Sequence, residues 1–175
     1  MYEPLASRMR PRNLDDFAGQ EKLVGEKGSL RTMFDGGELG SMVFWGPPGC
    51  GKTTLAQMLA ERSDLNFKPF SAVLSGIKEV REAMQQAKSD REQSQRPTLV
   101  FVDEIHRFNK AQQDAFLPFV EAGDIVLVGA TTENPSFEII GPLLSRLTVH
   151  ILEPLSEEDI VALLRTTLSL SLIHI

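Results

Sequence analysis

The sequence predicts an α/β fold, a parallel five-stranded sheet with helices on both faces. Three observations predict it. Short apolar runs of strand length alternate with segments whose apolar residues recur at helical spacing. Polar punctuation gathers just after those runs, at the strand ends where such sheets hold ligands. The third is Gly46-Pro47-Pro48-Gly49-Cys50-Gly51-Lys52-Thr53, which fits Gly, four of any residue, Gly-Lys-Ser/Thr without a mismatch. It stands between an apolar run and a helix, the context of a phosphate-binding loop.

Glycines let such a loop turn tightly enough to aim backbone N–H groups at phosphate oxygens. Lys52 adds a point charge within reach of the β- and γ-phosphates, and Thr53 offers a hydroxyl to Mg²⁺. The nucleotide-binding stretch is Gly46 to Thr53 together with Thr54, and the cofactors it implies are ATP and Mg²⁺.

Residues 1–40 are polar and rich in turn formers, with Arg8, Arg10 and Arg12 close together. On charge alone these arginines read as a solvated face. A short helix over 30–34 ends at Gly36-Gly37. Met42-Val43-Phe44-Trp45 is the first strand, and the helix over 53–62 carries Leu55, Met58 and Leu59 on one face. Residues 65–71 form a second strand, which Pro69 places at an edge. Ile77, Val80, Met84 and Ala87 define a helix over 77–90, followed by a polar connection over 89–95. Thr98-Leu99-Val100-Phe101-Val102 is the third strand and ends in Asp103-Glu104. A helix over 111–121 leads to the fourth strand, Ile125-Val126-Leu127-Val128, which runs into Gly129-Ala130-Thr131-Thr132. A helix over 139–144 and a strand over 147–152 complete the sheet. Ser156-Glu157-Glu158-Asp159 resembles a capping box that opens a helix over 160–166.

Composition narrows the function. The net charge of −6 argues against a uniformly basic nucleic-acid coat, so DNA would meet a local patch or a channel made by assembled subunits. No apolar run approaches the ~18 residues of a membrane span. The single cysteine, Cys50, fits a reducing compartment, and cytoplasm is the expected location. His106, His150 and His174 are scattered and form no metal-ligand spacing.

Asp103 and Glu104 are the usual companions of a phosphate loop. Asp103 would hold Mg²⁺, and Glu104 would orient an attacking water as general base. Thr131-Thr132 ends the neighbouring strand, where a hydroxyl could meet the γ-phosphate. Arg146 on residue type alone is a surface arginine.

Several segments together resemble the AAA+ ATPases and, within them, the replication-associated recombination protein A (RarA/MgsA) family. They are Leu5-Ala6-Ser7-Arg8-Met9-Arg10-Pro11, Asp16-Phe17-Ala18-Gly19-Gln20, the loop with its flanks, Phe101 to Lys110, Gln112 to Pro118 and Gly129 to Phe137. The resemblance covers about residues 4–165. It implies an ATPase acting in replication-fork maintenance, recombination and repair, related to clamp loaders and branch-migration motors. By that resemblance Arg10, Pro11, Gly19 and Gln20 pack on adenine, and Thr132 reads the γ-phosphate. Ser71 restrains the catalytic acid, and Arg146 is the finger that enters a neighbouring subunit's site. The implied partners are DNA at junctions or stalled forks, replication or single-strand-binding proteins, and copies of the chain itself.

The expected organisation is a nucleotide-binding domain over 1–153 and the beginning of a helical lid over 154–175. The tail after Thr167 departs from the family pattern, so the lid is expected to be truncated. Two other readings stay open: a clamp-loader-like ATPase, and a nucleotide-gated interaction module without useful turnover.

Overall fold

A computed structural model describes residues 4–172. The chain runs α1 (Leu5–Arg8), α2 (Glu21–Val24), α3 (Ser29–Asp35), β1 (Met42–Trp45), α4 (Lys52–Arg62), β2 (Asn66–Ser71), α5 (Ile77–Ser94) and β3 (Thr98–Asp103). It continues through α6 (Lys110–Asp114), α7 (Leu117–Ala122), β4 (Ile125–Thr131), α8 (Pro135–Glu138), α9 (Gly141–Leu144), β5 (Thr148–Ile151) and α10 (Glu157–Leu172).

The strands form one sheet in the order β2-β3-β4-β1-β5, parallel throughout. Helices cover both faces because successive strand side chains point to opposite sides. Met42, Phe44, Leu99 and Phe101 join α3 and α4 in one core, around Leu30, Leu55 and Leu59. Val43, Val100, Val102 and Leu127 join α5 and the later helices in the other, around Val80, Met84 and Phe116. Each fully buried large apolar side chain contributes about 1.5–3 kcal/mol. Pro69 lies on β2, whose ladder partner is β3 and which forms an edge, where a missing N–H costs nothing.

The helices depart from expectation in three places. The stretch read as a polar connection stays helical, so α5 continues to Ser94 and ends on Gln95 in a left-handed conformation. Arg91 holds that last turn, bonding the Ala122 carbonyl at 2.7 Å and the Asp124 carboxylate at 3.0 Å. The helix expected over 111–121 is two helices, because Pro118 restarts the chain at α7 without an N–H to continue α6. The helix expected over 139–144 narrows to α9, with α8 as a separate turn before it. Buried Gln113 fixes the extended link between them by accepting from Ile140 N and donating to the Glu138 carbonyl.

His150 sits in β5 with 4 % exposure, near the Phe44 ring, and its Nε2 has no hydrogen-bond partner. Burial pushes its pKa below the ordinary 6.5. The unfolded chain therefore binds the proton more readily. The resulting stability is complete above about pH 6.5 and declines as pH falls below it. We expect the melting temperature to drop between pH 7.5 and 5.5, and to drop less in His150→Leu. Equal drops in the two proteins would show that another group governs the acid limb.

Candidate nucleotide-binding site

The phosphate loop leaves the C-terminal end of β1, between β4 and β5. Gly46 N still bonds the Thr131 carbonyl at 3.1 Å, so the ladder extends one residue into the loop. A Cβ at Gly46 would lie 2.5 Å from the Leu152 carbonyl oxygen, which excludes any larger residue. Gly51 has φ 101°, and a Cβ there would lie 2.6 Å from the Phe17 ring. These two glycines let the loop curl against its neighbours and deliver the chain into α4.

Lys52 opens α4 and is 8 % exposed. Its ammonium donates to the carbonyls of Gly46 and Pro47, each at 2.7 Å. The charge therefore rests in the mouth of the loop, satisfied by the loop's own backbone. Thr53 follows on the first turn and is exposed. The positive end of α4, an 11-residue helix, faces the same mouth.

Asp103 is the last residue of β3 and stands in register with Ser71 of β2. Its Oδ1 accepts the backbone N–H of Glu104 at 3.0 Å. Glu104 turns the chain out of the strand at φ 55°, ψ 44°, a left-handed conformation that costs a non-glycine residue about 1 kcal/mol. Its carboxylate lies 3.2 Å from His106 Nε2. His106 Nδ1 in turn lies 2.9 Å from the Thr131 hydroxyl. By sequence His106 is one of three scattered histidines. Its place two residues after an acid at a strand end is the signal that singles it out.

Strand register sets Trp45 opposite Thr131, which places Thr132 level with Gly46. Thr131 is fully buried, and its hydroxyl also accepts from Glu133 N at 3.0 Å. Thr132, half-buried, is the hydroxyl presented at the strand end. Arg146 lies just past α9 and is exposed. It donates to the Pro142 carbonyl at 2.6 Å and pairs with Glu121 at 2.5 Å. It does not line the cavity beside its own phosphate loop.

That cavity, about 610 Å³, lies between the N-terminal segment, the loop and α10. Arg10, Pro11, Phe17, Gly51 and Leu163 are on its walls. Arg8 closes one side by bonding the Leu170 carbonyl at 3.0 Å, while Arg10 bonds Gln57 at 2.7 Å. Gly19 and Gln20 do not line the cavity but line a neighbouring hollow with Glu153 and Asp159. The Gln20 amide donates to the carbonyls of Glu153 (2.7 Å) and Cys50 (3.3 Å) and accepts from Glu153 N (2.9 Å). It thus ties the loop to the chain that enters α10, which begins with the reciprocal Ser156–Asp159 cap.

The residues fit a nucleoside triphosphate. A buried ammonium, a glycine loop and a helix N-terminus converge on one point, with a partly apolar cavity alongside. Among the described residues no cluster of three or more His, Cys, Asp or Glu could hold a metal alone. A divalent ion would depend on Thr53, Asp103 and the phosphates together.

Fold and site define a P-loop nucleotide-binding protein. Residues 42–155 match the model of the ATPase family associated with various cellular activities (AAA), and the chain belongs to that family. It is 51% identical over 164 residues to the replication-associated recombination protein A of Haemophilus influenzae, covering 94% of this chain and 36% of that protein. The protein of the same name from Escherichia coli K12 is 52% identical over 159 residues, covering 91% and 35%. These relatives agree with the resemblance read from the sequence. The chain spans little more than a third of their length. Its fold is similar to the Thermotoga maritima RuvB Holliday junction branch migration motor, with TM-score 0.65 and 33% identity over 83% of this chain and 48% of that one.

Proposed function

We propose that this chain binds ATP with Mg²⁺ and hydrolyses it within a protein that maintains replication forks through recombination and repair. One observation carries the reading: Lys52 is buried at the mouth of a glycine loop, with Asp103-Glu104 at the end of a strand in the same sheet. Bound Mg·ATP supplies the labile phosphoanhydride and a cation that spreads its charge. Lys52, the loop amides and the α4 N-terminus hold the phosphates, while Thr53 and Asp103 serve the metal. Glu104 orients water and takes its proton. Thr132 would bond the γ-phosphate, and Ser71, in register with Asp103, would restrain the acid. Arg10, Pro11, Gly19 and Gln20 form the adenine side.

Arg146, resting on Glu121, would act in a neighbouring copy of the chain, so the reading includes a homo-oligomer. The nucleotide-binding unit is 1–153, and α10 begins a lid over 154–175. DNA junctions and replication proteins are the proposed partners, in the cytoplasm at the nucleoid. Among the described residues no helix is long and apolar enough to cross a membrane.

Steady-state ATP hydrolysis with and without DNA carrying a single-strand/double-strand junction tests this reading. Stimulation by the junction is the expected result. ATP binding without turnover under either condition would instead favour a nucleotide-gated interaction module.

A further inference from the structure

A run of hydrogen bonds joins the phosphate loop to the acid after β3. Lys52 Nζ donates to the Gly46 carbonyl (2.7 Å), and Gly46 N donates to the Thr131 carbonyl (3.1 Å). The Thr131 hydroxyl meets His106 Nδ1 (2.9 Å), and His106 Nε2 meets the Glu104 carboxylate (3.2 Å). Among the described residues His106 is the side chain bonded to that carboxylate.

We propose that His106 is a positioning residue: it holds the Glu104 carboxylate in one orientation and ties it through Thr131 to the phosphate loop. The proposal rests on the reading of Glu104 as the group that orients water. An imidazole suits the task because its two nitrogens face opposite ways and the partner of one fixes what the other presents. If the Thr131 hydroxyl donates to Nδ1, the proton sits on Nε2 and points at Glu104. If Nδ1 instead carries the proton of the neutral ring, the hydroxyl turns to the Glu133 carbonyl, 3.2 Å away, and Nε2 is left without a proton for Glu104. The Nε2–H tautomer is the one that presents a donor to the acid, and the Thr131 hydroxyl selects it by donating to Nδ1.

The surroundings make the bridge rigid. Thr131 is fully buried. Ile105, beside His106, is buried against Gly129, where an added Cβ would lie 3.0 Å from its Cδ1. The backbone of Glu104 is pinned to Asp103 Oδ1. The Glu104 side chain is therefore the one movable part, and His106 decides where it points. A displaced catalytic group can cost about a hundredfold in rate without loss of substrate binding.

Two substitutions separate this role from a structural one. The amide nitrogen of His106→Gln can take the place of Nε2, whereas His106→Asn is too short to reach Glu104. We expect the Gln variant to stay within about threefold of the parent kcat, and the Asn variant to fall at least about tenfold with ATP affinity unchanged. Wild-type turnover by His106→Asn would overturn the role.

Nitrogen NMR of the imidazole rings reads the contacts without any need for turnover, with the His106 signals identified by their loss in His106→Gln. Glu104→Ala should move the Nε2 signal, and Thr131→Val the Nδ1 signal. Unmoved signals in both variants would overturn the bridge. Undiminished hydrolysis by Glu104→Gln would overturn the underlying reading of Glu104 instead, and the NMR contacts would distinguish that failure from a failure of the bridge.

Discussion

Lys52→Ala should abolish useful ATP binding while leaving the fold intact. Lys52 is 8 % exposed as a residue, and its ammonium is held by two backbone carbonyls at the mouth of the loop. Bound phosphate would take over that charge beside a partly buried loop, where Coulomb attraction is stronger than in bulk solvent. Truncating one partner of a buried charged pair costs about 2–5 kcal/mol, or at least about thirtyfold in affinity. Titration calorimetry with ATP measures the loss, and a thermal melt checks the fold. Unchanged affinity would remove the phosphate loop from the nucleotide site. The same variant tests Arg146, because Lys52→Ala subunits still carry that arginine. Mixed with Arg146→Ala subunits, they should restore turnover that neither shows alone, and no restoration would end the trans-acting role.

Glu104→Gln should keep ATP affinity and lower turnover by at least about a hundredfold, the scale of a lost general base. The amide has the shape of the carboxylate and can accept from His106 through its oxygen, so the geometry around Asp103 and Thr131 persists. What it loses is the ability to take a proton from water. Equilibrium binding measured beside single-turnover hydrolysis gives both quantities on one preparation. Normal turnover would place the base on another residue, and weakened binding would mean that Glu104 serves the phosphates more than the water.

Both effects lie where neighbouring residues encode the geometry. Gly46 to Thr53 is a local motif, and its loop shape follows from glycine torsions and the helix start that comes next. The strands are legible because Met42 to Trp45, Thr98 to Asp103 and Ile125 to Thr131 are short, apolar and bounded by turn residues. Pro69 marks an edge strand for a reason contained in one residue, its missing N–H.

The rest depends on partners far apart in the chain. Gln20 enters by resemblance as an adenine contact, and nothing local in the sequence foretells that its amide is consumed by Cys50 and by Glu153, 133 positions away. His106 gains a role only when β4 brings Thr131 to its other nitrogen. Arg91 keeps α5 helical by reaching Asp124, against the polar composition of that turn. The sheet, the loop and the place of Asp103-Glu104 at a strand end are legible before folding, because each is encoded by neighbouring residues. The tertiary structure alone decided which side chains hold Glu104, seat Arg146 on Glu121 and join the loop to α10. Such hydrogen bonds form where strand order brings distant groups within about 3 Å, and no local periodicity records that distance.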